Sequence, residues 1–179
     1  PQAFLYPLPL EFYNTHKIRR YGFHGTSHQY VSMKAAEFLG RNLEDLKIIA
    51  CHLGNGASIT AIDGGKSIDT SMGLTPLEGL VMGTRCGDID PAIPIHMQTQ
   101  LGLSVDEVNA IMNKKSGMLG LSHVSNDMRV IEEEITENKN PAAIQAFDVY
   151  CYRIKKYIGS YFAAMNGLDL LIFTGGVGE

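Results

Sequence analysis

The chain is poor in cysteine and has no long apolar run. Its three cysteines, Cys51, Cys86 and Cys151, are odd in number and widely spaced, which is typical of reduced thiols in a cytosolic protein. The longest apolar stretches, such as residues 168–173, are far shorter than the roughly 20 residues that a membrane-spanning helix needs. No basic segment is followed by an apolar run. We therefore expect neither a membrane span nor a secretory signal.

The sequence also lacks an excess of basic residues. Its 15 lysines and arginines stand against 19 aspartates and glutamates, which gives a formal net charge of −4. Without clusters of basic side chains, a nucleic-acid groove is not expected. With 179 residues, 45% of them hydrophobic and 19% charged, the composition is that of a folded domain and not of a disordered chain.

The spacing of apolar residues predicts an α/β domain with a mixed sheet. Three short segments, at 46–53, 58–63 and 66–72, are separated by glycine-containing turns and predict an antiparallel meander. A fourth segment, 168–173, predicts a buried strand that follows a long helix. Residues 1–20 show no clean period, so we expect them to form an irregular packed segment.

Helices are predicted before the meander and between its third strand and the last strand. Thr26 or Ser27 is expected to cap the first helix, and Gly40 to end it. The later helices are predicted at residues 91–100, after a capping box at 104–107, at 126–138 and, with Asn140 as its cap, from Pro141 to a stop at Gly167. The buried stripe predicted for the last helix is Ile144, Phe147, Cys151, Ile154, Ile158, Tyr161 and Met165.

Two glycine-containing turns that follow predicted strands are candidates for binding phosphate. Residues 54–56 read Gly-Asn-Gly, with His52 just upstream, and their backbone amides can approach an anion closely; an ordinary hairpin turn is the alternative. Residues 174–179 follow the last strand, where nucleotides bind in α/β folds; a tight strand-to-helix turn is the alternative. Residues 64–67 resemble the end of a P-loop, but Thr60 replaces a required glycine and a strand follows, which excludes that motif.

His24 and His28 are four residues apart near the start of the first predicted helix. A zinc site that uses both is weakly supported, because Gly25 lies between them and a metalloprotease helix would have a glutamate there. Two alternatives stay open: His24 donates a hydrogen bond to a charged substrate, or it is a structural histidine.

Arg85 lies among glycines and close to two carboxylates, which suits a clamp on a phosphoryl group. Asp88 and Asp90 are expected to orient Arg85 and to cap the next helix, with metal binding as the less favoured alternative. Cys86 has no histidine beside it in the sequence, so a thiol nucleophile is not expected. Taken together, the glycine turns, the arginine and the histidine point to phosphate handling.

Several of these segments resemble the signature segments of acetate kinases. They are residues 23–28, 52–56, 75–79, 83–91 and 173–179, in the order found in that family and across nearly the whole chain. The resemblance implies an ATP-dependent phosphotransferase that acts on the carboxylate of acetate with Mg²⁺ and forms acetyl phosphate and ADP reversibly. Propionate kinases share most of these motifs, so a kinase for propionate or another short-chain acid is the alternative.

By the same resemblance, the fold is a ribonuclease-H-like, actin-like ATPase domain, the second of two duplicated domains and incomplete at both ends. Residues 1–45 then belong to the tail of the first domain and a return segment, and residues 46–179 to the nucleotide-binding second domain. The catalytic aspartate and a magnesium-coordinating glutamate are expected outside the chain, so no metal ligand is predicted within it. The isolated chain is then expected to bind nucleotide without turnover. A cytoplasmic homodimer is expected for the family.

The resemblance also assigns roles to individual residues. His24 and Arg85 match the residues that stabilise the transferring phosphoryl group, and Phe23 and Pro76 match those that line the pocket for the acetate methyl group. The residues assigned to nucleotide binding are His52, Leu53, Gly54, Asn55 and Gly56 in a phosphate loop, Asp127, Met128 and Arg129 near the adenosine, and Gly175, Gly176, Val177, Gly178 and Glu179 in an adenosine loop. Two departures are Met128 where phenylalanine is usual and Cys86 where serine is usual.

Overall fold

A four-stranded mixed sheet organises the chain, of which the computed structural model describes residues 2–179. The strands are β1 (Lys47–Leu53), β2 (Ala57–Asp63), β3 (Lys66–Thr70) and β4 (Leu170–Thr174), in the order β3-β2-β1-β4. Strands β1, β2 and β3 form the antiparallel meander, and β4 pairs with β1 in parallel. The predicted α/β class and mixed sheet are therefore confirmed.

The pairing of β1 with β4 places two loops side by side. The parallel register runs from Ile48 opposite Leu170 to His52 opposite Thr174, so both strands end at the same edge of the sheet. In parallel α/β sheets, ligands bind outside the carboxyl ends of the strands. The turn after β1 and the glycine loop after β4 leave the sheet at this edge, and the candidate site lies there.

Seven helices and one 3₁₀ turn surround the sheet within residues 2–179. They are α1 (Leu10–His16), α2 (Gly25–Leu39), the 3₁₀ turn Leu43–Asp45, α3 (Ala92–Leu101), α4 (Val105–Lys114), α5 (Gly117–Ser122), α6 (Met128–Thr136) and α7 (Pro141–Met165). In this part of the chain no helix is both long enough and apolar enough to cross a membrane. The three cysteines are free thiols.

Strand β1 is buried on both faces, which explains its continuous apolar sequence. Ile48 and Ala50 pack with residues of α2 and the 3₁₀ turn, such as Ala36 and Leu43. Ile49 and Cys51 point the other way, as the alternation of a strand requires, into the larger core that α7 covers.

Local sequence motifs predicted several helix ends correctly. Ser104 and Glu107 form the predicted capping box, and the Asn140 side chain accepts hydrogen bonds from the amides of the first turn of α7. Gly40 ends α2 in the left-handed conformation, with φ of 61°. The cap predicted at Thr26 or Ser27 is wrong. Helix α2 begins at Gly25, and its N-cap is His24, which has φ of 61° and forms no side-chain capping bond.

In two other places the structure differs from what the hydrophobic pattern predicted. Residues 10–16 form α1, where we expected irregular structure. In the first half of α7, Ile144, Phe147 and Cys151 are exposed, while Ala143, Ala146 and Tyr150 are buried. Small side chains face inward because α7 packs against α5 and α6 as well as the sheet.

The last strand is less buried than predicted. Strand β4 lies at the edge of the sheet, and its residues are half-buried or exposed, with Phe173 48% exposed. An edge strand has a neighbour on one side only, so its side chains are covered less completely than those of β1.

Candidate active site

The turn after β1 and the loop after β4 contact each other through their backbones. The amide of Val177 donates to the carbonyl oxygen of Leu53 at 2.9 Å. Gly175 has φ of 85°, and a Cβ atom at this position would lie 2.5 Å from the same carbonyl oxygen. Only glycine tolerates both the conformation and this approach. The fold therefore brings together the two segments predicted to bind nucleotide.

The turn at residues 54–56 is also tied to two later segments. The amide of Gly83 donates to the carbonyl oxygen of Asn55 at 3.0 Å. The side-chain amide of Asn126 donates to Asn55 Oδ1 at 2.9 Å. Within residues 2–179, the amide groups of the turn donate to no backbone acceptor. They are donors that an anion can accept from.

Arg85 extends toward this turn. Its Nη1 donates to the carbonyl oxygen of Pro76 at 3.0 Å and contacts Met82 Sδ at 3.6 Å. A Cβ atom on Gly56 would lie 3.4 Å from Arg85 Nη1 and 3.8 Å from His24 Cε1. Arg85 and His24 thus both approach Gly56, and no carboxylate within residues 2–179 forms an ion pair with Arg85.

His24 belongs to a cluster of three imidazole rings. Its ring stacks on that of His52, with centroids 4.1 Å apart and planes at 24°, and His28 lies 6.4 Å from it. Burial, followed by the neighbouring His52 and the Arg85 cation, lowers the pKa of His24 below its usual value. His24 is therefore neutral near pH 7 and acts as a hydrogen-bonding group.

The zinc alternative finds no support in this cluster. His24 Nδ1 and His28 Nε2 both contact the hydroxyl of Ser58, at 2.9 and 2.8 Å. Within the described part of the chain, no group of three or more histidine, cysteine, aspartate or glutamate residues is arranged to hold a metal ion.

The two aspartates after Arg85 have separate structural roles. Asp90 Oδ1 accepts from the amide of Ala92, the first residue of α3, although the N-cap position itself is Pro91. Asp88 accepts from the amide of Gly79 at 2.8 Å and from the hydroxyl of Tyr157 at 2.5 Å. The expectation that these carboxylates orient Arg85 is wrong, because its guanidinium turns to the Pro76 carbonyl instead.

The remaining predicted residues lie around this centre. Asp127 caps α6 and pairs with Arg129 at 2.6 Å, next to the Asn126 contact described above. Met128 and Val177 pack against the same hydrophobic core.

Phe23 lines a cavity of about 320 Å³ together with Tyr21, Thr60 and Thr70. Pro76 does not line that cavity, so the two predicted pocket residues are not brought together there.

Two contributors to the site were missed at the sequence level. Ser58 links two histidines that precede it by 30 and 34 residues, and Tyr157 reaches Asp88 from 69 residues away. No local pattern marks either residue. Ser58 occupies one position of a predicted strand, and Tyr157 lies beside the predicted stripe of the last helix.

Comparisons with known proteins identify relatives over nearly the whole chain. The chain is 67% identical over 178 residues to the acetate kinase of Pseudothermotoga lettingae, which covers 99% of the chain and 44% of the relative. The crystal structure of Porphyromonas gingivalis acetate kinase matches with a TM-score of 0.97 at 53% identity, covering 99% of this chain and 44% of that one. A propionate kinase from Francisella tularensis matches with a TM-score of 0.94 at 48% identity, covering 99% and 45%.

The chain therefore spans less than half the length of the curated relatives it matches. The profile of the acetokinase family matches residues 1–179, the whole of the sequence. On this evidence, the chain belongs to the acetokinase family.

Proposed function

We propose that the protein transfers a phosphoryl group between ATP and the carboxylate of acetate, forming acetyl phosphate and ADP reversibly. Membership of the acetokinase family supports the reaction class. The observation that carries the proposal is the approach of Arg85 and His24 to Gly56, at the edge of the sheet where β1 and β4 end.

Arg85 and His24 stabilise the transferring phosphoryl group in this proposal. Phosphoryl transfer needs little covalent chemistry from the protein, and catalysis comes from positioning and from neutralising charge on the equatorial oxygens. An arginine without a carboxylate partner supplies positive charge that is not already compensated. A neutral imidazole supplies a hydrogen-bond donor beside it.

The residues present fit a nucleotide at the paired loops. His52, Leu53, Gly54, Asn55 and Gly56 hold the phosphates through the amides of the turn, and Gly175, Gly176, Val177, Gly178 and Glu179 hold the adenosine. Asp127, Met128 and Arg129 lie beside the adenosine. The close backbone packing of Gly175 on Leu53 supports this arrangement. ATP supplies the phosphoryl group that is transferred.

The carboxylate ligand of Mg²⁺ is proposed to lie outside residues 1–179. Mg²⁺ would accompany the nucleotide phosphates and neutralise part of their charge. Phe23 and Pro76 are proposed to line the pocket for the acetate methyl group.

The domain division and assembly are also proposals. Residues 1–45 belong to the tail of a first domain and a return segment, and residues 46–179 to a nucleotide-binding second domain. The family resemblance further supports a homodimer in the cytoplasm, in keeping with three free cysteines.

Propionate or another short-chain acid is the second candidate for the acceptor. The propionate kinase from Francisella tularensis has nearly the same fold over this chain as the acetate kinase from Porphyromonas gingivalis. A chain that binds nucleotide without turnover when isolated is the other alternative.

A chimaera tests the function. The matching segment of the Pseudothermotoga lettingae acetate kinase is replaced by residues 1–179, and acyl phosphate formation is measured by trapping with hydroxylamine. We expect turnover with ATP and acetate, and a lower kcat/KM with propionate. A higher kcat/KM with propionate would favour the second candidate. A chimaera that folds like its parent by circular dichroism but forms no acyl phosphate with either acid would overturn the proposal.

The isolated 179-residue chain is assayed in parallel for turnover and, by calorimetry, for ADP binding. We expect ADP to bind without measurable turnover. Robust turnover by the chain alone would contradict the expectation that the catalytic aspartate lies outside it.

A further inference from the structure

We propose that Ser58 is a positioning residue which, together with His28, fixes the tautomer of His24 so that the proton lies on Nε2, away from Ser58. The proton arrangement follows from the geometry of three buried or half-buried side chains. Its consequence for catalysis rests on the function proposed above for His24.

Ser58 lies between the two histidines. It is the second residue of β2 and is completely buried, and His28, in the first turns of α2, is only 4% exposed. The Ser58 hydroxyl oxygen is 2.9 Å from His24 Nδ1 and 2.8 Å from His28 Nε2. Both ring nitrogens are therefore within hydrogen-bond distance of one hydroxyl group.

A hydroxyl group has one proton to donate, so it can donate to only one of these nitrogens. If it donated to neither, its own buried proton would have no acceptor within residues 2–179, so it donates to one nitrogen and accepts from the other. If it donates to His28, then His28 carries its own proton on Nδ1. That nitrogen is buried and has no hydrogen-bond partner within residues 2–179. A buried N–H group without an acceptor is rarer in proteins than an acceptor without a donor.

The opposite arrangement avoids an orphaned donor. His28 Nε2–H donates to Ser58, and Ser58 donates to His24 Nδ1, which leaves the proton of His24 on Nε2. Burial, followed by the neighbouring His24 and His52, lowers the pKa of His28 to about 4, so a single proton on its ring near pH 7 is the relevant state.

Arg85 is consistent with the same arrangement. The Arg85 cation is close enough to His24 to lower its pKa, yet Arg85 donates to the Pro76 carbonyl and forms no hydrogen bond with His24, as expected if Nε2 carries a proton. A protonated Nε2 is a donor and cannot accept a hydrogen bond. Arg85 and His24 are then both donors beside Gly56.

Neighbouring side chains also hold the His24 ring in one orientation. His52 stacks on it at 4.1 Å, and the Ser27 hydroxyl contacts His52 Nδ1 at 2.9 Å. Turning the His24 ring over would replace Nδ1 by a carbon atom at Ser58 and lose the hydrogen bond. His24 also has φ of 61°, an unusual backbone conformation for a residue with a side chain, as is often found where a site requires it.

Nitrogen-15 NMR of the imidazole rings tests the proton arrangement directly. The 179-residue chain is labelled at histidine, and spectra are recorded near pH 8, where two-bond couplings distinguish the protonated nitrogen from the bare one. We expect His24 and His28 both to carry their protons on Nε2. A proton on Nδ1 of His24, or an equal mixture of its tautomers, would overturn the proposal.

Two serine variants test whether Ser58 sets the proton position on His24 or only supports the fold. Ser58→Ala removes the hydroxyl, and we expect the His24 ring to become a mixture of tautomers. Ser32→Ala is the matched control, because Ser32 is also buried and on the same helix as His28, but its hydroxyl bonds only to the Gln29 carbonyl. We expect it to leave both tautomers unchanged. An unchanged His24 tautomer in Ser58→Ala would contradict the role of Ser58.

The same variants in the chimaera test the catalytic consequence. We expect Ser58→Ala to lower kcat about tenfold, on the scale of one lost hydrogen bond, with KM for ATP unchanged. Normal kcat in Ser58→Ala would overturn the catalytic role. If the parent chimaera is inactive but the NMR result is as expected, the proposed function fails while the proton arrangement stands.

Discussion

Arg85 Nη1 donates to the carbonyl oxygen of Pro76 at 3.0 Å, and this contact joins two segments of the candidate site. A backbone carbonyl orients the guanidinium without cancelling its charge, whereas a carboxylate would do both. Because a guanidinium has five N–H donors, most of them stay available for a ligand. The contact therefore holds the guanidinium of Arg85 and leaves its charge uncompensated by a carboxylate within residues 2–179.

We expect Arg85→Ala in the chimaera to lower kcat by about 10³-fold or more, because charge on the transferring group then loses its compensation. The dissociation constant for ADP, measured by calorimetry, should change far less. Arg41→Ala is the control, since Arg41 is an exposed arginine paired with Asp169. Equal losses in kcat and in nucleotide affinity would show that Arg85 only binds the nucleotide.

His24→Asn should separate stability from activity. Asparagine tolerates the left-handed conformation better than most residues, so the free energy of unfolding in urea should change by no more than about 1 kcal/mol. The kcat of the chimaera should fall about 100-fold, because asparagine is too short to place its amide donor where the Nε2–H group of His24 lies. His24→Ala provides the comparison: it should unfold more easily than His24→Asn, by about 1 kcal/mol. Equal stability of the two variants would argue against backbone strain at this position.

Stability should depend on pH through His28. Its pKa is lowered in the folded state to about 4, so the unfolded chain takes up the proton first as pH falls. The contribution of His28 to the free energy of unfolding is fully present above the usual histidine pKa of about 6.5. It decreases by about 3 kcal/mol in total as the pH falls from there to about 4. His28→Gln should flatten this part of the profile measured by urea unfolding. His24 contributes in the same direction, since its pKa is also lowered, and His24→Gln measures its share.

Tyr157→Phe should loosen the turn that carries Arg85. The Tyr157 hydroxyl donates to Asp88, and burial followed by this hydrogen bond raises the pKa of the phenol, which keeps it protonated. We expect a loss of about 1–2 kcal/mol in the free energy of unfolding. A lower kcat in the chimaera should accompany it. Tyr152→Phe on the same helix is the control, because Tyr152 is 61% exposed. A variant as stable as that control would contradict the anchoring role.

Much of the architecture could be predicted because its signals are local. The antiparallel meander, the Ser104 capping box and the Asn140 cap depend on residues within a few positions of one another. The glycine turns and Arg85 were likewise recognisable as candidates from their immediate neighbours. The roles assigned to these residues by resemblance stay predictions.

Other features depend on which segments meet in space. In the first half of α7 the inward face includes Ala143 and Ala146, while the larger Ile144 and Phe147 are exposed; the predicted Ile154, Tyr161 and Met165 are buried in the second half. The partner of Arg85 is a carbonyl nine residues away in the chain, although two carboxylates are closer in sequence.

The sequence by itself determined the order of the four strands and of the helices other than α1 and α5, the turn chemistry and the types of side chain available for phosphate. Only the tertiary structure decided that Ser58 lies between His24 and His28, and that Gly175 packs on Leu53. The physical reason is distance along the chain. Hydrogen bonds within a turn are encoded by neighbouring residues, whereas a site assembled from segments 30 to more than 100 residues apart depends on the packing of the whole sheet and its helices.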